Sequence, residues 1–458
     1  MNENKISKTL DRVVPHRDVP EGLLAGARRR RRRTRGFTSA AALALVVAVA
    51  VPLGLTMGGL SSDRDATAAE DLHGAAAVLT LPLDGTPHTA DAATASSRIA
   101  WNLMVADEDV RNTNKSIAPS SLAVTLAMLA EGATGPSLAS LDEAFGLSGD
   151  DRSAAMGALR QALASYEDLP TSVDADDPPE TPVVHQANRV VILDDAEIQQ
   201  DFLDRLASYY DTGAKRLPSE DAEADLDAWA KKHTAGLIKE SAIKIEPGIR
   251  LITQDALLFA AKWRQEFEND DVPLPFTTGT GATEDINALG GIFHVPYASG
   301  DGWEAVRLPY DDALAMDVIV PARGVHPSEL DFDSINGSVS ALGDTDETGV
   351  ALTMPPSDIK TKWDLLGPLE KQGIDLSEMN GIFSGAFTDQ VAQQVRLTVT
   401  AKGTVGAALT EAAVAESSGP VADVELTVDR PFVMRVLDTR TGLPLFVAIV
   451  NDPADVPG

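Results

Sequence analysis

Cysteine is absent from all 458 residues. Disulfides, Cys-ligated zinc, thiol nucleophiles and a lipid anchor on Cys are therefore excluded. Nucleotide-binding and hydrolase signatures are missing too: there is no G-x-S-x-G elbow, no Walker loop and no dinucleotide fingerprint. Gly279-Thr-Gly281 is a lone glycine pair in a polar stretch and reads as a turn. The seven histidines, His185 and His233 among them, show no close pair with metal-ligand spacing. Asp270-Asp271 and Asp311-Asp312 read as loop acids, and nothing assembles a nucleophile, a base and an orienting group. The chain reads as a non-enzyme without a cofactor.

Positive charge is scarce beyond residue 60. Residues 1–60 hold 11 Lys/Arg against 4 Asp/Glu, and the remainder holds 27 against 65, a net charge of −38. So acidic a body repels nucleic acid and anionic lipid headgroups, and the charge serves solubility.

The basic N-terminal portion has a second feature. Arg28 to Arg33 form an unbroken arginine run, followed by Phe37 to Leu60, 24 residues without a charge. About 20 apolar residues span a bilayer as a helix, and arginines on the N-terminal side predict a cytoplasmic N-terminus with the acidic body outside the cell. The expected organisation is a basic segment over 1–36, a transmembrane helix over 37–60, a stalk over 61–92 rich in Ala, Asp, Thr and Gly, and a folded domain over 93–458. The alternative is a cleaved signal peptide, with Ala66-Thr-Ala68 as the small-residue cleavage pattern and a secreted product.

Within the domain, hydrophobic periodicity predicts helices over Thr94 to Asp107, Leu122 to Glu131, Ser137 to Phe145, Asp201 to Tyr210, Ala222 to Thr234 and Thr361 to Gln372. Strands are predicted at Val183 to Leu193, Leu251 to Ala261, Ala305 to Tyr310, Ala315 to Pro321, Val350 to Pro355, Val395 to Thr400, Val424 to Val428 and, with a turn, Phe432 to Val450. Helices crowd the first half and strands the second, which argues an α+β fold.

The most unusual stretch is Val395 to Pro420. It starts as an alternating strand, then runs through Gly, Ala, Thr and Ser with hardly a charge. A loop of that length in a compact domain is uncommon and usually functional or disordered. Ala favours helix, but Gly403, Thr404, Gly406 and Thr410 oppose one. Taken alternately, Thr404, Gly406, Ala408, Thr410, Ala412 and Val414 are all small or apolar, while Glu411 falls in the opposite set. A segment with that period-2 pattern can become a buried strand without burying a charge. Gly403 is expected to supply the backbone freedom for the swing.

The segment Lys402-Gly-Thr-Val-Gly-Ala-Ala-Leu-Thr410 resembles the reactive-loop hinge of the serpin family, the serine protease inhibitors. Further similarities follow in the family's order: Ala118-Pro-Ser-Ser121 and the apolar run after it, Asn188-Arg-Val-Val-Ile192, Leu257-Leu-Phe-Ala-Ala-Lys-Trp263, Leu308-Pro-Tyr310, Asp429-Arg-Pro-Phe432 and the closing block that ends Asn451-Asp-Pro453. The likeness spans about residues 90–453 and is of bacterial type. It implies the serpin fold, with a large central β-sheet, surrounding helices and an exposed reactive-centre loop, in a monomer. It also implies inhibition by suicide-substrate trapping, in which a cleaved loop inserts into the main sheet.

By that resemblance the hinge is Lys402, Gly403, Thr404, Val405, Gly406, Ala407 and Ala408, and the sheet-opening region holds Ser121, Asp255 and Gln393. The family spacing from Gly403 gives Ser417-Ser418 as the reactive bond, with Glu416-Ser417 and Ser418-Gly419 as alternatives. Elastase-like, subtilisin-like or Glu-specific serine proteases are the implied partners. The sequence departs from the family pattern at Ala401 (commonly Glu), Ala118 (commonly Ser), Asp255 (commonly Asn), Gln393 (commonly His) and the bulky Leu409. A hydrogen bond from Gln393 to Asp255 or to Ser121 is expected to replace the usual polar cluster. The rival readings are a non-inhibitory surface binding protein of the same fold and a secreted hydrolase.

Overall fold

The computed structural model describes residues 69–173, 177–405 and 422–455. The basic segment, the expected membrane span and the reactive bond at Glu416, Ser417 and Ser418 lie outside the described residues, as do Gly406, Ala407 and Ala408 of the hinge. Among the described residues, no helix is long and apolar enough to cross a membrane.

In chain order the strands are β1 (Glu70–Leu72), β2 (Lys115–Ile117), β3 (Val183–Leu193), β4 (Ala214–Leu217), β5 (Leu251–Lys262), β6 (Asn269–Thr277), β7 (Thr283–Gly300), β8 (Trp303–Pro309), β9 (Leu314–Pro321), β10 (Glu347–Met354), β11 (Ser357–Asp364), β12 (Ala392–Val399), β13 (Gly403–Val405), β14 (Val424–Thr427), β15 (Phe432–Asp438) and β16 (Leu443–Val450). The α-helices are α1 (Thr89–Val105), α2 (Pro119–Ala130), α3 (Gly135–Phe145), α4 (Gly149–Ala162), α5 (Gln200–Tyr210), α6 (Ser219–His233), α7 (Phe332–Gly343) and α8 (Leu366–Lys371).

Two sheets organise these elements. One runs β1-β4-β3-β5-β13-β12-β11; the other runs β14-β10-β7-β8-β9-β15-β16-β2, with β6 on β7. Antiparallel pairs dominate, with parallel pairing of β3 to β4 and of β10 to β14. With helices packed around mixed sheets, the architecture is α+β. Strands β9, β15 and β16 are buried along their whole length, which their near-continuous apolar sequence anticipates. Helix α2 opens on Pro119, whose fixed φ suits a first helical turn, and is buried at every position but Thr125. It runs through the core between the two sheets.

Two expectations need correction. Ser357–Asp364 is a strand, so the helix predicted over Thr361 to Gln372 shrinks to Leu366–Lys371. Its residues alternate buried and exposed, with Ser357, Ile359, Thr361 and Trp363 inward. The lysines between them read as helix formers but lie on the open face. The stalk expected over 61–92 belongs, from residue 69, to the domain. Glu70–Leu72 pair with β4 at the sheet edge, the Leu79 amide donates to the Ser208 carbonyl (2.9 Å), and Gln161 bonds both Leu79 and Leu81. Helix α1 already starts at Thr89.

Candidate functional site

At the end of β12 the chain reverses through Ala401 and Lys402, closed by the Thr400 amide donating to the Gly403 carbonyl at 2.9 Å. The returning strand, β13, enters the sheet between β5 and β12. Gly403, Thr404 and Val405 pair with Lys262, Ala261 and Ala260 on one side, and Val405 and Thr404 pair with Thr398 and Val399 on the other. Lys402, Gly403, Thr404 and Val405 thus come together as a docked hairpin. Gly403 is required here by close approach: a Cβ would lie 2.2 Å from the Ala261 carbonyl oxygen and 2.9 Å from the Lys262 Cα. That corrects the expectation of backbone freedom, because its φ is not left-handed.

A group of aromatic side chains holds this hairpin. Trp263 stacks on Tyr310 with centroids 4.6 Å apart, and its indole N–H donates to the Thr400 carbonyl at 2.9 Å. The Trp263 and Phe267 amides donate to the Lys402 and Ala401 carbonyls, each at 3.0 Å. The Tyr310 hydroxyl donates to Thr404 Oγ1 at 2.6 Å, and both residues are buried. Burial pushes the Tyr310 phenol well above its ordinary pKa, so it remains a donor. The Lys262-Trp263 and Leu308-Pro-Tyr310 motifs are visible in sequence, but their shared role is not. The signal was present only as two aromatics far apart in the chain, and nothing in sequence pairs Tyr310 with Thr404.

Below the hinge the sheet has a seam. On the side away from β3, β5 pairs with β13 alone; β12, away from β11, does likewise; and β5 and β12 do not pair with each other among the described residues. The stretches Thr253–Leu257 and Ala392–Arg396 wall a cleft that is partly open to solvent. Ala118 and Ser121 line its floor, and Trp229 and Ile238 its roof.

The polar groups of the seam divide between its two walls. Gln393 bonds the Ala118 backbone twice, accepting from its amide at 2.9 Å and donating to its carbonyl at 3.1 Å. On the opposite wall, Asp255 accepts from the Ser121 hydroxyl and from the Asn188 side-chain amide. The expected bond from Gln393 to Asp255 or Ser121 is therefore absent. Gln393 reaches instead the buried backbone of Ala118 at the α2 N-terminus, which the residues alone did not identify as its partner. Each wall is tied to α2 separately, so parting the walls breaks no cross-seam side-chain bond between these residues. Burial pushes the Asp255 carboxyl well above the usual carboxylate range, against the lowering effect of its hydrogen bonds.

Helix α6 covers the other face of the seam. Gln254 donates from its side-chain amide to the Leu226 carbonyl at 3.0 Å, and the Arg189 guanidinium lies 4.9 Å from the Trp229 ring centroid. The structure also brings together two histidines that sequence spacing kept apart. His185 Nε2 lies 2.9 Å from His233 Nδ1, and His185 bonds Glu167 through its other nitrogen. Burial, then the neighbouring His185, lowers the His233 pKa to about 4. Among the described residues no group of three or more His, Asp or Glu converges to hold a metal ion.

Beyond the hinge, the chain changes sheets. Val405 ends in the seven-stranded sheet and Val424 begins β14, alongside β10 in the other sheet. A long, small-residue connection is thus anchored at both ends by strands of different sheets.

This topology, with a strand-entering hinge above an unpaired seam, is that of a serpin. Residues 94–453 match the family model of the serpins, the serine protease inhibitors, and the chain belongs to that family. Among its relatives, mouse plasminogen activator inhibitor 1 is 26% identical, covering 82% of this chain and 94% of its own. A serpin-like protein of Thermococcus kodakarensis is 24% identical over 75% of this chain and 82% of its own. Among solved structures, the thermophilic serpin tengpin in its native state has a TM-score of 0.70 at 18% identity, with 84% of this chain and all of tengpin covered. Thyroxine-binding globulin in complex with thyroxine has a TM-score of 0.65 at 17% identity, over 79% of this chain and 99% of its own. The fold is common to proteins of differing activity, so function rests on the hinge and the seam.

Proposed function

We propose that this serpin traps serine proteases as a suicide substrate. The observation that carries the reading is the docked hinge Gly403–Val405 at the mouth of a seam whose walls do not pair with each other. If both pairing registers of Thr404 continue, Gly406, Ala408 and Thr410 fall opposite Phe259, Leu257 and Asp255, and Thr410 also falls opposite Gln393. The residues that would face the α2 side are small, and the single charge, Glu411, would face α6. Cleavage at Ser417-Ser418, or at a bond beside it, frees the hinge segment to fill the seam. The new strand gains backbone bonds on both sides, and that folding energy drags the acylated protease before water releases it. A bond flanked by Glu and Ser, with no Lys or Arg from Gly403 to Asp429, fits elastase-like, subtilisin-like or Glu-specific proteases.

The arginine run and the apolar segment Phe37 to Leu60 support a single-pass anchor with the serpin domain outside a bacterial cell, or a secreted product if Ala66-Thr-Ala68 is cut. The test is to mix the full-length chain with one protease of each type and resolve the products on denaturing gels. An SDS-stable 1:1 complex that disappears in Thr404→Arg is the expected result. Clean cleavage without a complex, for every protease, overturns the inhibitory reading and favours a binding module on the same fold.

A further inference from the structure

A carboxyl group on the β5 wall of the seam is the feature that the inhibitory reading leaves unexplained. We propose that Asp255 is a positioning residue that couples filling of the seam to the uptake of a proton. The proposal rests on the reading that a strand enters the cleft between β5 and β12.

Its geometry is specific. Asp255 borders the cleft, and both its carboxyl oxygens already accept bonds, from Ser121 and from Asn188. The groups that face it are nearly all neutral. Helix α2 contributes the Ser121 hydroxyl and contains no charged residue. Strand β3 contributes the amides of Asn188, its direct cross-strand partner, and Gln186. Strand β12 contributes Gln393 across the cleft, while Arg396 further along is held by Asp358. Arg160 of α4 acts on it at longer range and is shared with Asp211, 3.9 Å away. Arg189 and Asp225 pair with each other over the α6 side of the sheet. Among the described residues, no cation other than this shared Arg160 acts on Asp255.

An incoming strand replaces cleft water with backbone and with a Thr410 hydroxyl. Removing water penalises the ionised carboxyl and leaves the neutral acid little affected. The filled state therefore binds the proton more tightly than the open state, and burial already raises the pKa in the open state. The sign follows from linkage: the form that binds more protons is favoured as pH falls. Filling thus becomes easier at lower pH, by at most about tenfold in its equilibrium constant per pH unit for one proton. An asparagine at this position fills the same space without a titrating group.

The experiment uses the full-length chain, uncleaved, and a synthetic peptide of residues 404–414 as the incoming strand. Annealing is followed on native gels from pH 5 to pH 8 for wild type and Asp255→Asn, and proton uptake is read with an indicator dye in weakly buffered solution. Titration of Glu411 in the peptide is common to both proteins and cancels in the comparison. The expected result is a wild-type extent of annealing that falls as pH rises, with a fraction of a proton taken up per peptide bound. The Asn variant follows a flatter profile and takes up less. Parallel profiles with equal proton uptake overturn the role of Asp255 and leave the inhibitory reading standing. Failure of the peptide to anneal to either protein at any pH overturns both.

Discussion

The bond between Tyr310 and Thr404 offers a way to read the position of the hinge in solution. Both side chains are buried, and each hydroxyl has the other as partner at 2.6 Å. Tyr310→Phe leaves the Thr404 hydroxyl without its donor, and Thr404→Val leaves the Tyr310 hydroxyl without its acceptor. Each orphaned group costs about 1–3 kcal/mol, whereas replacing both partners by apolar groups of similar shape costs little. The double variant should therefore cost about as much as one single variant, or less, giving a coupling energy of about 1–3 kcal/mol. The assay is urea unfolding of the four proteins, compared by midpoint at constant slope. The coupling exists only while Thr404 sits in the sheet. Additive costs, within about 0.5 kcal/mol, would mean that the hinge spends its time outside the sheet, and would refute the docked hairpin.

Further expectations follow from neighbouring contacts. Gly403→Val should abolish hinge docking, because the added Cβ would meet backbone of β5 that cannot yield; the expected outcome is cleavage by target proteases with little stable complex. Asp317, fully buried, accepts two guanidinium bonds from Arg307, and Asp317→Asn should cost about 3–5 kcal/mol in urea unfolding, the usual range for breaking a buried pair. His233 has a folded pKa of about 4, below its ordinary 6.5, so between these values the unfolded chain binds more protons. Its contribution to stability is complete above pH 6.5 and declines as pH falls toward 4, and His233→Gln should show a shallower loss across that window. Leu409→Lys should reduce inhibition, since the continued register would bring this side chain beneath α6, beside Trp229 and Ile238.

Much of the fold was legible in sequence because single elements carried their own pattern. Strand β3 was predicted at its observed bounds, and the burial of α2 followed from a helix made of small and apolar residues. Helix α4 and the hairpin of β6 and β7 went unpredicted. Their sequences carry glycines and prolines that look like breakers, yet Gly290 packs where a Cβ would lie 2.8 Å from Val272. For the site, the hinge was visible as a run of small residues, whereas its partners were not. Tyr310, Trp263 and the backbone of Ala118 reach the hinge and the seam only through tertiary contacts, so no local pattern marks them. The same reason hid the His185 and His233 pair, which are separated by 48 residues and meet across β3 and the end of α6.

Whether the segment after Val405 enters the seam is tested most directly by the heat stability of the nicked protein. The full-length chain is cut once within the segment between Thr410 and Pro420 by a protease that forms no stable complex with it, such as a metalloprotease, and its unfolding is compared with that of the uncut chain. A nicked protein whose two fragments stay together and unfold at clearly higher temperature is the expected result, since a strand bonded on both sides has been added to the sheet. A nicked protein that unfolds at the same temperature as the uncut chain, or below it, would contradict the insertion mechanism.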